Sequence, residues 1–175
     1  MSGIFEVLPK VFEDERGYFS ETYRSDDFKE KGLQTDWVQE NQSFSRLKNT
    51  IRGLHFQSPP YAQTKLIRVP RGRILDVFVD IRVNSPTFGH WDAIEVSEER
   101  RNAVYVSKGF AHGFCTLEND TLVQYKVDSV YSRENEGGIL WNDPQLSIDW
   151  NCENPLLSGK DRELPLISNL KSPFV

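Results

Sequence analysis

The sequence predicts a mainly β protein, an antiparallel jelly roll of two sheets with few short helices. Short segments rich in β-branched and aromatic residues follow one another along the chain, and turn residues separate them at regular intervals. Only two stretches carry helix signals. The segments that predict strands are residues 18–23, 65–69, 73–82, 91–96, 103–106, 113–116, 122–127 and 139–141.

The most regular strand pattern lies in residues 65–82. Residues 70–72, Pro-Arg-Gly, separate two apolar segments, which predicts a tight hairpin connection. In the second segment, alternate residues from 75 to 81 share one face, and the intervening residues, including Asp76, share the other. A jelly roll built from such strands offers a cavity between its sheets, into which alternating side chains point.

Two short stretches predict helix. Residues 25–31 have Ser25 or Asp26 as the expected N-cap, and Gly32 suits the position after a helix C-terminus. A second helical turn is predicted near residues 159–163.

Length and composition restrict the class of protein. A chain of 175 residues with 38% hydrophobic and 27% charged residues predicts one globular domain over residues 1–175. The net charge of −5 argues against a nucleic-acid partner. No apolar run has the length of a membrane span or of a signal peptide, so a cytoplasmic protein without membrane contact is expected. Cys115 and Cys152 lack a CxxC pattern and are expected to be idle thiols.

Residues 50–57 carry the strongest functional signal. Arg52 and His55 flank Gly53 in a chain with only three histidines, and Lys65 follows ten residues after His55. A base, a lysine and an arginine that lie close together can remove a proton beside a carbonyl while they hold an anionic substrate. An ideal strand places Arg52 and His55 on opposite faces, so a bulge at Gly53 is expected if both enter one pocket.

Two further side chains are expected to point into the same interior. Tyr125 alternates with apolar neighbours along residues 123–127, and Lys65 alternates with those of residues 67–69. A buried tyrosine seeks a hydrogen-bond partner, and an inward lysine is costly unless it meets an anion. A lone His55 would be interpreted as a packed core histidine, but together these residues predict a site.

Arginines 16 and 52 are the candidate phosphate ligands, because the guanidinium fork meets phosphate oxygens bidentately. A metal site is not predicted. The pattern His-x-His followed by a carboxylate is broken at residues 55–57, and only His112 has another plausible strand context. His90 lies in a turn-like stretch and is expected at the surface.

Eight motifs along the chain resemble those of the dTDP-4-dehydrorhamnose 3,5-epimerase family, a group of dTDP-sugar epimerases in the cupin superfamily. The resemblance runs in order from about residue 3 to about residue 165. It implies a cupin-type jelly roll (a double-stranded β-helix), a homodimer, a nucleotide-sugar substrate and catalysis without metal or organic cofactor. The motifs are DERG at 14–17, TIRGLHFQ at 50–57, PPYAQ at 59–63, KL at 65–66, DIR at 80–82, SPTFG at 85–89, GFAHGF at 109–114 and WNDP at 141–144.

The resemblance also implies roles for individual residues. His55 matches the catalytic base, Asp161 its carboxylate partner, Tyr125 the general acid and Lys65 the stabiliser of an enolate oxygen. Nine positions match residues that contact the nucleotide or the sugar: Arg16, Glu21, Gln39, Asn41, Arg52, His112, Tyr131, Glu136 and Lys160. Two positions depart from the family pattern, since Thr64 replaces the usual glycine and Gly159 a common acidic residue.

The implied reaction is inversion at C3 and C5 of dTDP-4-keto-6-deoxy-D-glucose through an enolate, which gives dTDP-4-keto-L-rhamnose for deoxysugar biosynthesis. Three alternatives stay open: an epimerase of C3 alone, a ketoisomerase of a related nucleotide-linked sugar, and a sugar-binding jelly roll without activity. Tyr131, a second aromatic hydroxyl near the site, favours reaction at both carbons. A metal-dependent dioxygenase lacks its ligands.

Overall fold

The computed structural model describes residues 1–175 and is built almost entirely from antiparallel strands. A front sheet has the strand order β1-β9-β6-β11-β4, a back sheet has the order β12-β5-β10-β7-β8, and β2 pairs with β3 alone. The strands are β1 (Ile4–Val7), β2 (Val11–Asp14), β3 (Gly17–Ser20), β4 (Gln39–Ser45), β5 (Ile51–Gln57), β6 (Lys65–Arg71), β7 (Arg73–Asp80), β8 (Trp91–Ser97), β9 (Ala103–Val106), β10 (Phe110–Thr116), β11 (Thr121–Val127) and β12 (Glu136–Gly138).

The front and back sheets face each other and bury an apolar core between them. Ile67 and Val104 enter this core from the front sheet, and Ile74, Phe78 and Phe114 enter it from the back sheet. Burial of each such side chain contributes about 1.5–3 kcal/mol to folding. The predicted mainly β jelly roll is therefore confirmed.

The back sheet is also covered on its other face. Val77 and Val79 of β7 pack there against Ile139, Trp150 and Ile167 from the C-terminal segment. The two-faced alternation predicted for β7 is thus confirmed, and each face meets a different core. The strand predicted at residues 139–141 is wrong. The strand of this region is β12, which ends at Gly138, and the residues after it cover the outer face of the back sheet.

The hairpin predicted for residues 65–82 is wrong. Strand β6 pairs with β9 and β11 in the front sheet, whereas β7 pairs with β8 and β10 in the back sheet. Gly72, at φ +81°, carries the chain from one sheet to the other, and a Cβ there would lie 2.6 Å from Thr121 Oγ1. The apolar faces of β6 and β7 are buried by packing face to face, so side-by-side pairing is not needed.

Helix α1 (Ser25–Glu30) confirms the first helix prediction, and Gly32 follows it at φ +69°. The predicted N-cap is wrong: Arg24 takes that position, without a side-chain cap. Phe28 of α1 packs on the outside of the front sheet, beside Tyr105. Helix α2 (Gly159–Arg162) and two 3₁₀ turns, Arg133–Asn135 and Ile167–Asn169, complete the helical content. None of these helices has the length and apolar character needed to cross a bilayer.

A bulge in β5 brings Arg52 and His55 to the same face of the strand. His55 lies opposite His112 of β10 and Arg52 lies opposite Phe114, so two residues of β5 face the single residue between them. Residues 112 and 114 share a face of β10, and therefore Arg52 and His55 share one too. Gly53, at φ +133°, permits this geometry, since a Cβ there would lie 2.5 Å from Gly113 Cα. The expected bulge is confirmed.

The hairpin formed by β2 and β3 stands apart from both sheets and pairs only with itself. Its apolar side chains are open to solvent, with Phe12 51%, Tyr18 57% and Phe19 67% exposed. Phe12 and Phe19 lie opposite each other on one face of the hairpin, whereas Tyr18 lies on the other face beneath the Arg101 guanidinium.

Candidate active site

A cavity of about 300 Å³ opens between the front and back sheets, and seven of the predicted site residues line it. Strands β4, β6 and β11 supply one wall, and β5 and β12 supply the other. The lining residues are Gln39, Asn41, His55, Phe56, Gln57, Gln63, Lys65, Tyr125, Tyr131 and Glu136.

His55 and Asp161 form a close pair at the edge of this cavity. Nε2 of the imidazole lies 2.6 Å from Oδ1 of the carboxylate, and Asp161 itself is buried. Ser158 caps α2 and accepts a hydrogen bond from the Asp161 backbone N–H, which fixes the carboxylate. An ionised carboxylate only accepts, so Nε2 carries the proton and Nδ1 keeps its lone pair.

The electrostatics of this pair favour an ionised carboxylate. Burial raises the pKa of Asp161, but the hydrogen bond and charge of His55 outweigh burial, so the pKa lies below its ordinary value. The pair therefore presents an oriented imidazole with a negative group behind it, which stabilises an imidazolium once the ring takes a proton.

Lys65 and Tyr125 approach from the facing sheet. Tyr125 lies opposite Ile67 and Lys65 lies opposite Val127, so both share the inward apolar face and both orientation predictions are confirmed. Burial lowers the pKa of Lys65 to about 8, although the Asp76 and Glu136 charges act in the other direction. Burial raises the pKa of Tyr125, which keeps its hydroxyl protonated at neutral pH.

The Lys65 ammonium has no carboxylate partner of its own. The lysine ion pairs of the structure involve Lys108, Lys126 and Lys160 instead. An inward lysine without an ion pair is costly, and an anion or a developing oxyanion in the cavity would offset that cost.

A second histidine–carboxylate pair lies next to the first. Nε2 of His112 is 2.7 Å from Oδ1 of Asp76, and the Asp76 side chain is fully buried. Burial lowers the pKa of His112, with Lys65 and His55 acting in the same direction and Asp76 against them. At neutral pH this ring is therefore neutral.

Arg52 extends the site along the inner face of β4. Its guanidinium donates to Ser45 Oγ at 3.3 Å and to the Phe44 carbonyl at 3.2 Å. Further along the same strand, Gln39 Nε2 donates to Asn41 Oδ1 at 2.7 Å. Gln39 and Asn41 thus form a polar strip with the Arg52 guanidinium at its end, and this arrangement is suited to bind a diphosphate ester.

The mouth of the cavity carries a polar cluster of three predicted residues. Glu136 Oε2 accepts a hydrogen bond from the Tyr131 hydroxyl at 2.8 Å and lies 2.5 Å from Lys160 Nζ. The Tyr131 ring is 55% exposed, so its face is open to an incoming flat group such as a base. Burial raises the pKa of Glu136, yet Lys160 and Tyr131 hold it below the ordinary value, so the cluster is ionic at neutral pH.

Two predicted residues lie outside the cavity of their own chain. Arg16 is at the tip of the β2–β3 hairpin, with its side chain 89% exposed and paired only with Asp14. Glu21 lines a different, larger groove of about 1070 Å³ beside that hairpin. Half of the residues that line that groove are hydrophobic, and none of them lines the cavity that contains His55.

The structure also adds residues that no role was assigned to from the sequence. Gln57 and Gln63 use their amides to hold the loop before Tyr131, through bonds to the carbonyls of Val130 and Ser129. Asp76 underlies His112; a carboxylate between Ile74 and Phe78 on the inward face of β7 was the sequence signal that could have identified it. The structure contains no cluster of three or more potential His, Cys, Asp or Glu metal ligands.

Comparisons with known proteins agree with this geometry. Residues 1–169 match the family model described as dTDP-4-dehydrorhamnose 3,5-epimerase. A curated protein of that name from Shigella flexneri is 48% identical over 159 residues, which are 90% of this chain and 86% of the relative. A dTDP-4-dehydrorhamnose 3-epimerase from Streptomyces niveus is 36% identical over 98% of this chain and 83% of its own length.

A solved structure shows the same likeness in three dimensions. The 3,5-epimerase of Legionella pneumophila Philadelphia 1, crystallised with dTDP-4-keto-L-rhamnose, superposes with a TM-score of 0.94 at 38% identity and covers 100% of this chain and 95% of the other. The fold, the paired histidine in its cavity and these matches lead to one conclusion: the chain belongs to the dTDP-4-dehydrorhamnose 3,5-epimerase family.

Proposed function

We propose that this epimerase inverts C3 and C5 of dTDP-4-keto-6-deoxy-D-glucose with His55 as the base and Tyr125 as the acid. The observation that carries the assignment is the placement of these two groups. His55, backed by Asp161, belongs to the back sheet, and Tyr125 belongs to the front sheet that faces it. A sugar ring between the sheets has a base on one side and an acid on the other.

Proton removal begins the reaction. The 4-keto group acidifies the C–H bonds at both neighbouring carbons, and Nδ1 of His55 is the free ring nitrogen that takes such a proton. The imidazolium that forms is stabilised by Asp161 at 2.6 Å. A well-placed base contributes about 10²–10⁴-fold to the rate.

The charge then moves to the C4 oxygen. The Lys65 ammonium, which has no ion-pair partner in the protein, is the group available to that oxygen. It stabilises charge that exists only in the transition state and the enolate, and such interactions raise kcat.

Reprotonation from the other face completes the inversion. Tyr125 keeps its proton because burial raises the pKa of its hydroxyl, and it stands on the sheet opposite His55. Delivery from the side opposite to removal is what separates epimerisation from simple proton exchange. No step requires a metal ion.

The test is incubation with dTDP-4-keto-6-deoxy-D-glucose in heavy water, with deuterium located by NMR and mass spectrometry. We expect label at C3 and C5, with unchanged activity after chelator treatment. Label at C3 alone would favour the single-site reaction of the Streptomyces niveus relative. No label from folded protein would overturn the proposed function and favour the ketoisomerase or the binding protein.

The proposal includes a homodimer in which each hairpin tip serves the partner's site. The support is the exposed aromatic pair on one face of the β2–β3 hairpin, formed by Phe12 and Phe19. Arg16 at its tip has only an exposed ion pair with Asp14, which is worth little, so its guanidinium is available for a phosphate. A second copy would bury the apolar surface and receive this arginine.

Mixed dimers test this arrangement. His55→Ala and Arg16→Ala homodimers are each expected to be nearly inactive at low substrate concentration. Random exchange of subunits should restore about one quarter of the sites, since one site of each mixed dimer has both His55 and the partner subunit's Arg16. Absence of any recovery in verified mixed dimers would mean that Arg16 acts within its own chain or not at all.

A cytoplasmic location completes the proposal. Both cysteines, Cys115 and Cys152, are free thiols in the structure, as is usual in a reducing compartment.

A further inference from the structure

Asp76 is a fully buried carboxylate with one oxygen that lacks a hydrogen bond, and the proposed mechanism does not use it. It lies in the middle of β7, fully buried among Phe78, Phe114 and other core residues. Oδ1 accepts from His112 Nε2, but Oδ2 has no hydrogen-bond partner. An ionised carboxylate in such surroundings costs several kcal/mol unless nearby groups compensate for it.

The position of Asp76 links two groups of the site. His112 lies directly opposite His55 across β5 and β10, and Asp76 supports His112 from β7 as Asp161 supports His55 from α2. The Asp76 charge also reaches Lys65, because it opposes the lowering of the lysine pKa by burial. One buried carboxylate therefore holds the ring that lies opposite His55, and it faces the sheet from which the Lys65 ammonium enters the cavity.

We propose that Asp76 is a positioning residue for the epimerisation: it fixes the His112 ring for the sugar and keeps the Lys65 ammonium charged beside the C4 oxygen. This inference rests on the proposed function, in which Lys65 meets that oxygen. It adds a residue behind the two groups and leaves the base and the acid unchanged.

The hydrogen-bond pattern determines what His112 offers. The carboxylate accepts from Nε2–H, so the neutral ring has its lone pair on Nδ1, which has no partner in the protein. Nδ1 then accepts a hydrogen bond from a sugar hydroxyl. Without Asp76 both tautomers become available, and the acceptor is lost part of the time.

The charge balance determines the state of Lys65. Removal of the Asp76 carboxylate takes away the first of the two charges that raise its pKa, so the ammonium loses its proton at lower pH. The charged or titratable groups that face Lys65 and Asp76 from the surrounding strands are His55 on β5, His112 on β10, Tyr125 on β11 and Glu136 on β12.

Asp76→Asn tests the charge with little change of volume. We expect kcat/KM to fall roughly 10- to 100-fold and the basic limb of its pH profile to move down by roughly one pH unit. The matched control is Asp80→Asn, on the same face of the same strand and equally buried, whose carboxylate bonds Arg82, Ser85 and Thr87 instead. Asp80→Asn should lower the melting temperature and leave the basic limb in place.

A second measurement needs neither substrate nor variant. Nitrogen-15 NMR of the three histidines in the wild-type protein should show His112 as the neutral Nε2–H tautomer. An Nδ1–H tautomer would overturn the positioning of His112. A basic limb that stays unmoved in folded Asp76→Asn, or that moves equally in Asp80→Asn, would overturn the action on Lys65. Failure of the wild-type labelling experiment would instead overturn the proposed reaction, because the tautomer is measured without it.

Discussion

Replacement of His55 by alanine is expected to lower kcat/KM on the order of 10⁴-fold, the upper end of what one acid–base group contributes. His112 is the other imidazole of this region, but it is buried and does not line the cavity, whereas the His55 side chain lines it and is 29% exposed. Loss of the His55 ring leaves the back sheet intact, because its neighbours Leu54 and Phe56 face the other core. The fold and the proposed dimer should therefore survive.

The measurement is deuterium exchange at C3 and C5 together with the melting temperature and the hydrodynamic size. His90→Ala is the matched control, because His90 is exposed and lies outside the cavity. Activity near the wild-type level in folded His55→Ala would show that His55 is not the base, and the proton acceptor of this enzyme would have to be another group.

Replacement of Lys65 by methionine is expected to lower kcat roughly 10²- to 10³-fold, the usual loss when one oxyanion donor is removed. Methionine keeps the length of the side chain, so the change isolates the ammonium. The matched control is Lys126→Met on β11, where the lysine pairs with Glu40 on the outer face of the front sheet. That control should keep its activity.

The pH dependence gives Lys65 a specific signature. Its pKa in the folded protein is about 8, below the ordinary value of 10.5, so the ammonium is present below about pH 8 and is lost above it. Wild-type kcat/KM, which reports the free enzyme, should fall as pH rises through about 8, and the residual activity of Lys65→Met should lack this limb. A limb that persists in Lys65→Met would assign it to another group.

The lowered pKa of Lys65 also affects the stability of the fold. Stability is expected to rise with pH, whereas kcat/KM is expected to fall. Because the folded pKa is lowered, the unfolded chain binds more protons between about pH 8 and pH 10.5, and the wild-type protein gains stability with pH across that window. Lys65→Met is therefore expected to be more stable than the wild type at pH 7, with an advantage that shrinks as pH rises. Chemical denaturation at several pH values measures it.

Local patterns in the sequence predicted the orientation of individual side chains well. Alternation along residues 65–69 and 123–127 was enough to turn Lys65 and Tyr125 inward, because strand periodicity depends on neighbours in the chain. The bulge at Gly53 was predicted because an ideal strand would place Arg52 and His55 on opposite faces although both were expected in one pocket. Which strands pair with each other depends on residues that are far apart in the chain. The hairpin predicted for residues 65–82 was wrong for that reason, since β6 and β7 belong to different sheets.

The sequence by itself determined the mainly β class, the inward face of each site strand and, through its motifs, the family. Only the tertiary structure decided which distant groups meet: Asp161, 106 residues after His55, reaches its ring at 2.6 Å, and Asp76 reaches His112 on the adjacent strand of the back sheet. It also placed Arg16 on an exposed hairpin away from its own cavity. The reason is that periodicity specifies a face, whereas hydrogen bonds between distant residues depend on strand order and register, which the whole packed core selects.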